Sequence, residues 1–233
     1  MNISSTLDLK SSAIKILIYA PSGAGKTFSA STLKDKTLII SAESGLLSLS
    51  SEKIDYIDMT KNEKLETIDY ADRLANLSKV YNFLVKSDHK YETVFIDSLT
   101  EIAQIIDAHC EKKFPERKDG MVRWGEYNKI FTSLVKKFRD LPINVIFTCL
   151  SAVEKDENNK RFTTFSVFGA IAQRLPQYFD EVFYLHAAQN ENKLIKRYFQ
   201  TAHAEQITAK DRSGKLDLFE PVDFDKIFKK IRA

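Results

Sequence analysis

The sequence predicts an α/β fold in which a mainly parallel sheet is flanked by helices and finishes in a C-terminal antiparallel hairpin edge. Two observations carry that expectation. Short apolar runs alternate with stretches at helical spacing through the first 150 residues, the pattern of parallel strands joined by right-handed crossovers. The first of those runs leads into a glycine-containing loop closing on Gly-Lys-Thr, and a later one ends in aspartate.

Residues 1–12 are polar and read as a loose lead-in, with one domain expected over 1–233. Ile14-Lys15-Ile16-Leu17-Ile18-Tyr19 reads as a buried strand, and Ala20-Pro21-Ser22-Gly23-Ala24-Gly25-Lys26-Thr27 follows it. Residues 28–33 are compatible with a helix. Strand, glycine loop, Gly-Lys-Thr and helix make a phosphate-binding loop in the context it requires. Gly23 and Gly25 let successive N–H groups curl around phosphate oxygens without a Cβ in the way. Ser22, Gly23, Ala24, Gly25, Lys26, Thr27 and Phe28 are therefore the candidate nucleotide-binding residues. Lys26 can reach the β- and γ-phosphates, and the Thr27 hydroxyl can ligate magnesium. Ala20 stands where the strictest form of the pattern has its first glycine.

Thr37-Leu38-Ile39-Ile40-Ser41 is a second continuous apolar strand, ending in Ala42-Glu43-Ser44-Gly45, and residues 53–58 read as a minor one. Residues 66–86 carry Tyr70, Leu74, Leu77, Tyr81 and Leu84 at helical spacing, a core-facing stripe. Tyr91-Glu92-Thr93-Val94-Phe95-Ile96-Asp97-Ser98 is a strand that delivers Asp97 to its carboxyl end, where ligands bind in open α/β sheets. There Asp97 would hold the magnesium with Thr27, through a water. Residues 99–112 and 124–139 read as helices, separated by a polar, basic loop, and Ile143-Asn144-Val145-Ile146-Phe147-Thr148-Cys149 as the next strand. Residues 152–161 are charged and turn-prone. The runs at 181–186 and 194–199 flank a polar stretch and predict a hairpin. A short run at 206–209 leads into Lys210-Asp211-Arg212-Ser213-Gly214, and residues 224–231 form a short basic amphipathic helix.

Composition is that of an ordinary globular protein, 43% hydrophobic and 29% charged, and a net charge of +3 is too small to identify a nucleic-acid partner. Two cysteines, Cys110 and Cys149, suit a reducing compartment, Cys110 packing on a helix. No signal pattern and no membrane-spanning apolar run occur, so a cytoplasmic protein without membrane attachment is expected. The four histidines lack metal-ligand spacing, and neither a Gly-x-Ser-x-Gly elbow nor a dinucleotide fingerprint is present.

Hydrolysis of a γ-phosphate needs a positioned water. Many phosphate-loop ATPases place a glutamate directly after the magnesium aspartate. Here Ser98 holds that position, so the base must come from elsewhere. Glu43, just past the second strand on the same sheet edge, is the first candidate and Glu101 the second.

Ser41-Ala42-Glu43 ending one strand and Asp97-Ser98 ending another resemble the RecA-type ATPase core, with Ser41 where RecA proteins more often have aspartate. The C-terminal Lys210-Asp211-Arg212-Ser213-Gly214 resembles the Lys-x-Arg-x-Gly finger of the RadA and DnaB branches. The whole order is most similar to small phage-encoded RecA-like proteins of single-strand annealing and recombination, including Gly169-Ala170, Leu175-Pro176 and Tyr178-Phe179-Asp180-Glu181. The resemblance implies an ATP- and Mg2+-dependent RecA-like P-loop ATPase in which Glu43 activates water. It also implies a homo-oligomer, ring or filament, in which Lys210 and Arg212 complete a neighbour's site. Two basic, aromatic-containing loops fall where RecA-like proteins carry DNA loops. Lys113, Arg117, Lys118 and Arg123 in one, and Lys155, Lys160 and Arg161 in the other, are thus candidate contacts to single-stranded DNA. A phage single-strand-binding protein is a further implied partner. One departure is Thr148-Cys149, where RecA has its γ-phosphate-sensing glutamine; Thr148 or Ser151 could replace it. Two other readings stand beside this one, a nucleotide-dependent assembly switch or loader and a small-molecule kinase. The kinase lacks an arginine-rich lid.

Overall fold

The computed structural model describes residues 13–33, 36–115, 120–155, 157–189, 193–204 and 206–233. Its centre is a run of parallel strands: β1 (Lys15–Ala20), β2 (Thr37–Ser41), β3 (Asp55–Asp58), β4 (Thr93–Asp97), β5 (Asn144–Lys155), which follows β4 in the chain after two helices, and β7 (Glu181–Gln189). Antiparallel strands β8 (Ile195–Gln200) and β10 (Phe219–Pro221) continue one side, giving the order β10-β8-β7-β1-β5-β4-β2-β3. Two strands lie off this path: β6 (Arg161–Phe165) pairs with the outer half of β5, and β9 (Lys210–Asp211) with the amino end of β7.

Strands β1, β2 and β4 are buried at every residue, which explains why they read as continuous apolar runs and not as alternating ones. Alternation instead sorts their side chains between two cores. Leu17, Tyr19, Leu38, Ile40, Val94, Ile96, Val145 and Phe147 meet the helices α1 (Arg73–Lys86), α2 (Leu99–Lys113) and α3 (Gly120–Arg139). Ile16, Ile18, Ile39, Phe95 and Ile146 face the other way, onto Ala30, Leu33 and the α5 helix (Phe224–Arg232), through Phe224 and Ile227. A four-residue helix, α4 (Ile171–Arg174), precedes β7. Cys110 is buried on α2.

Three expectations change in detail, and one strand is new. The segment after the phosphate loop is a six-residue 3-10 helix, Thr27–Thr32, in which Ser29 and Thr32 each donate a side-chain hydrogen bond to the carbonyl three residues back. Within 66–86 the α-helix starts only at Arg73, after a 3-10 turn at Tyr70–Asp72 capped by Asp69. The charged stretch at 152–161 is a turn only at its tip. Residues 152–155 are the outer half of β5 and Arg161 opens β6, paired in register from Ser151↔Phe165 to Lys155↔Arg161, while the turn expected around Asn158 and Asn159 joins the two strands. Strand β10 had no sequence signal, being three residues long. Among the described residues no helix is long and apolar enough to cross a membrane.

Candidate nucleotide site

The phosphate loop leaves the carboxyl end of β1, and the carboxyl ends of β4 and β2 deliver Asp97 and Glu43 to the same edge. Gly23 at φ 76° and Gly25 at φ 107° hold the loop in left-handed conformations that side-chain-bearing residues resist. Gly23, Gly25, Lys26, Thr27 and Phe28 line a cavity of 390 Å3 with Ser22, Glu43, Asp97 and Leu150. Ala24 is buried beneath it.

Asp97 is the hub. Thr27 Oγ1 donates to its Oδ2 at 2.6 Å, and Thr148 Oγ1, from the end of the parallel half of β5, donates to its Oδ1. Both carboxylate oxygens are thus aimed by hydroxyls, one from the start of the 3-10 helix and one from β5. A hydroxyl and a carboxylate this close form the oxygen pair a hard divalent cation takes, so Thr27 and Asp97 fit magnesium. The hydroxyl of Ser41, opposite Asp97 in register, is buried with no partner among the described residues.

Lys26 is buried, with its ammonium donating to the carbonyls of Ala20 at 3.1 Å and Pro21 at 2.9 Å. Burial lowers its pKa, while the charges of Asp97 and Glu43 act in the opposite sense. Glu43 accepts a short hydrogen bond from Ser98 Oγ, so the serine standing where many phosphate-loop ATPases have glutamate instead orients a glutamate from the next strand. Glu101 turns away to pair with Arg73 at 3.8 Å. Thr148, expected as a phosphate sensor, binds Asp97, while Ser151 lies in the β5–β6 ladder opposite Phe165.

One site residue gave no sequence signal. Arg197, on β8, donates from Nε to the Ala24 carbonyl at 2.9 Å, lies over the Phe28 ring and lines the cavity. The contact spans 173 positions, and only the packing of the hairpin beside β1 creates it.

The other candidates are not brought to this cavity. Lys210 pairs opposite Val182 at the amino end of β7, where its ammonium donates to the carbonyls of Pro176 and Phe179. Arg212 binds Asp180 Oδ1 at 2.7 Å. Lys113 is paired with Glu126 at 2.8 Å, and Arg123 with Asp107 and Glu111, while lying over the Trp124 ring. Trp124 in turn meets Phe168, so the start of α3 and the segment after β6 touch. Arg117 and Lys118 lie outside the described residues. Lys155, Lys160 and Arg161 are exposed on the β5–β6 hairpin.

A family model described as AAA domain matches residues 12–213. No curated protein matches the chain.

Proposed function

The chain belongs to the AAA domain family of P-loop ATPases, and from that premise we propose a magnesium-dependent, RecA-like ATPase, one domain over the whole chain, that acts on single-stranded DNA in phage recombination or annealing. The observation that carries this reading is the double use of β5. Its inner half holds Thr148 against Asp97, and its outer half builds an exposed hairpin on which Lys155 stands directly opposite Arg161. Like charges facing each other across a strand pair repel. A polyanion lying along the hairpin relieves that repulsion, and exposed Val153 with the Trp124–Phe168 pair offers apolar surface for bases nearby.

In this reading Lys26 neutralises the β- and γ-phosphates, and Thr27 with Asp97 holds the magnesium, which offsets phosphate charge when bound. Thr148 fixes the Asp97 carboxylate. Glu43, held by Ser98, orients the attacking water and accepts its proton. Lys210 and Arg212 lie at the opposite end of the sheet from their own phosphate loop, so any action on ATP is in trans, in a ring or filament. A second reading, an ATP-dependent assembly switch or loader, is favoured by the carboxylates that already pair Lys113 and Arg123.

Steady-state ATP hydrolysis with and without single-stranded DNA tests the pair. Stimulation by DNA, lost in Lys26→Ala and Glu43→Gln, is the expected result. Hydrolysis indifferent to DNA selects the switch, and hydrolysis undiminished in Glu43→Gln removes the role given to Glu43.

A further inference from the structure

Arg197 and Phe28 form a surface that the phosphate chemistry does not use. The loop leaves β1 with β5, β4 and β2 on one side and β7 and β8 on the other. Asp97 and Glu43, the groups suited to metal and water, approach from the β4 and β2 side. Arg197 approaches from the β8 side, bonds the Ala24 carbonyl, lies over the Phe28 ring and occupies the space a Cβ at Gly25 would fill. A nucleotide lying along the loop with its terminal phosphate toward Asp97 therefore directs its nucleoside toward Arg197.

What waits there is a flat cation beside an exposed aromatic ring. The Arg197 guanidinium carbon lies 5.8 Å from the Phe28 ring centroid, and Phe28 is 45% exposed although it sits within the loop motif. The guanidinium is held in place from below: its Nε bonds the Ala24 carbonyl, and a Cβ at Gly25 would come within 2.6 Å of that nitrogen. Gly25 thus serves two surfaces, the phosphate cradle and the seat of the arginine. Guanidinium and phenyl faces both stack on nucleobases, and neither presents the fixed pattern of donors and acceptors that would distinguish one purine from another.

We propose that Arg197 and Phe28 form the base platform of the nucleotide site, stacking on the purine of ATP and ADP with little discrimination between adenine and guanine. This rests on the reading of the loop as a nucleotide site, and the test separates the two. Titration calorimetry with magnesium would compare ATP, ADP, GTP and inorganic tripolyphosphate, which has no base, on the wild-type chain and on Arg197→Ala, Arg197→Lys, Phe28→Ala and Lys26→Ala. The expected result is a loss of about tenfold in affinity for all three nucleotides in Arg197→Ala and in Phe28→Ala, with tripolyphosphate bound as by wild type. Arg197→Lys, lacking the planar face, recovers only part of the loss. Wild-type nucleotide affinity in both Arg197→Ala and Phe28→Ala overturns the platform, as does an equal loss for tripolyphosphate, which would make Arg197 a phosphate ligand. Phe28→Ala leaves the Arg197–Ala24 bond in place and so keeps the test valid if Arg197→Ala fails to fold. Failure of the wild-type chain to bind any of the four overturns the nucleotide site itself, and Lys26→Ala marks the level of binding without it.

Discussion

Glu181 is a carboxyl group with 1% exposure, placed in register opposite Asp211 on the short strand that presents Lys210. Its Oε1 accepts from the Ser213 N–H, and its Oε2 has no partner among the described residues. Burial, reinforced by the Asp211 charge, pushes its pKa up to about 8. Asp211 moves the other way: burial opposes its ionisation but is outweighed by hydrogen bonds from Ser213, Leu216 and Gly214. Below about pH 8 the shared proton sits on Glu181. The folded chain therefore binds that proton more tightly than the unfolded chain, whose glutamate titrates near 4.5. The stabilisation is complete below that value and is lost as pH rises through about 8. Glu181→Gln keeps the neutral form at every pH. Its melting temperature should exceed that of wild type by roughly 5 °C at pH 8 and converge with it at low pH. Circular-dichroism melts at the two pH values check this, and a constant offset would mean that Glu181 does not titrate in the folded chain. Residues such as Lys26, Thr27 and Asp97 were legible in the sequence because each occupies a fixed place in a local pattern. Nothing local distinguishes Glu181 from a solvated glutamate.

At the scale of elements, the β5–β6 hairpin marks where sequence reading stops. Residues 152–161 crowd Lys, Glu, Asp and Asn together, a composition that belongs to turns. Pairing with β6 nonetheless makes residues 152–155 strand and leaves the turn to the tip, because the ladder depends on the partner's register and not on local preference. The segment after the phosphate loop is a helix, as its composition allows, but of the 3-10 kind, since its serine and threonine side chains bond to its own backbone. The hairpin offers a charge test in which folding and binding move in opposite directions. Lys155→Glu places a carboxylate opposite Arg161, converting a repulsive cross-strand pair into an attractive one. The hairpin should gain stability while single-stranded DNA affinity falls about tenfold and the salt dependence weakens by about one unit of slope. Fluorescence anisotropy across a range of salt concentrations measures both effects. Unchanged affinity would take DNA off this hairpin and favour the assembly switch.

For the molecule as a whole, the parallel centre and its two cores were readable because apolar strands alternate with amphipathic helices. What joins distant parts was not: Arg197 to Ala24, Thr148 to Asp97 and Ser98 to Glu43 are meetings of separate strands. Subunit assembly lies at this scale too. Mixing Arg212→Ala with Lys26→Ala protein should restore part of the hydrolysis that each lacks, because an intact loop can then meet an intact finger. No recovery in a mixed assay would leave Arg212 as the local partner of Asp180. The length of β5 has a mechanical consequence. From Thr148 to Lys155 the chain is one uninterrupted strand, about 23 Å long at the usual rise per residue, and an extended strand has almost no stretch left in it. It behaves as a connecting rod between the Asp97 carboxylate at its base and the β5–β6 turn at its far end. A displacement along the strand at one end is therefore carried to the other and not taken up by stretching.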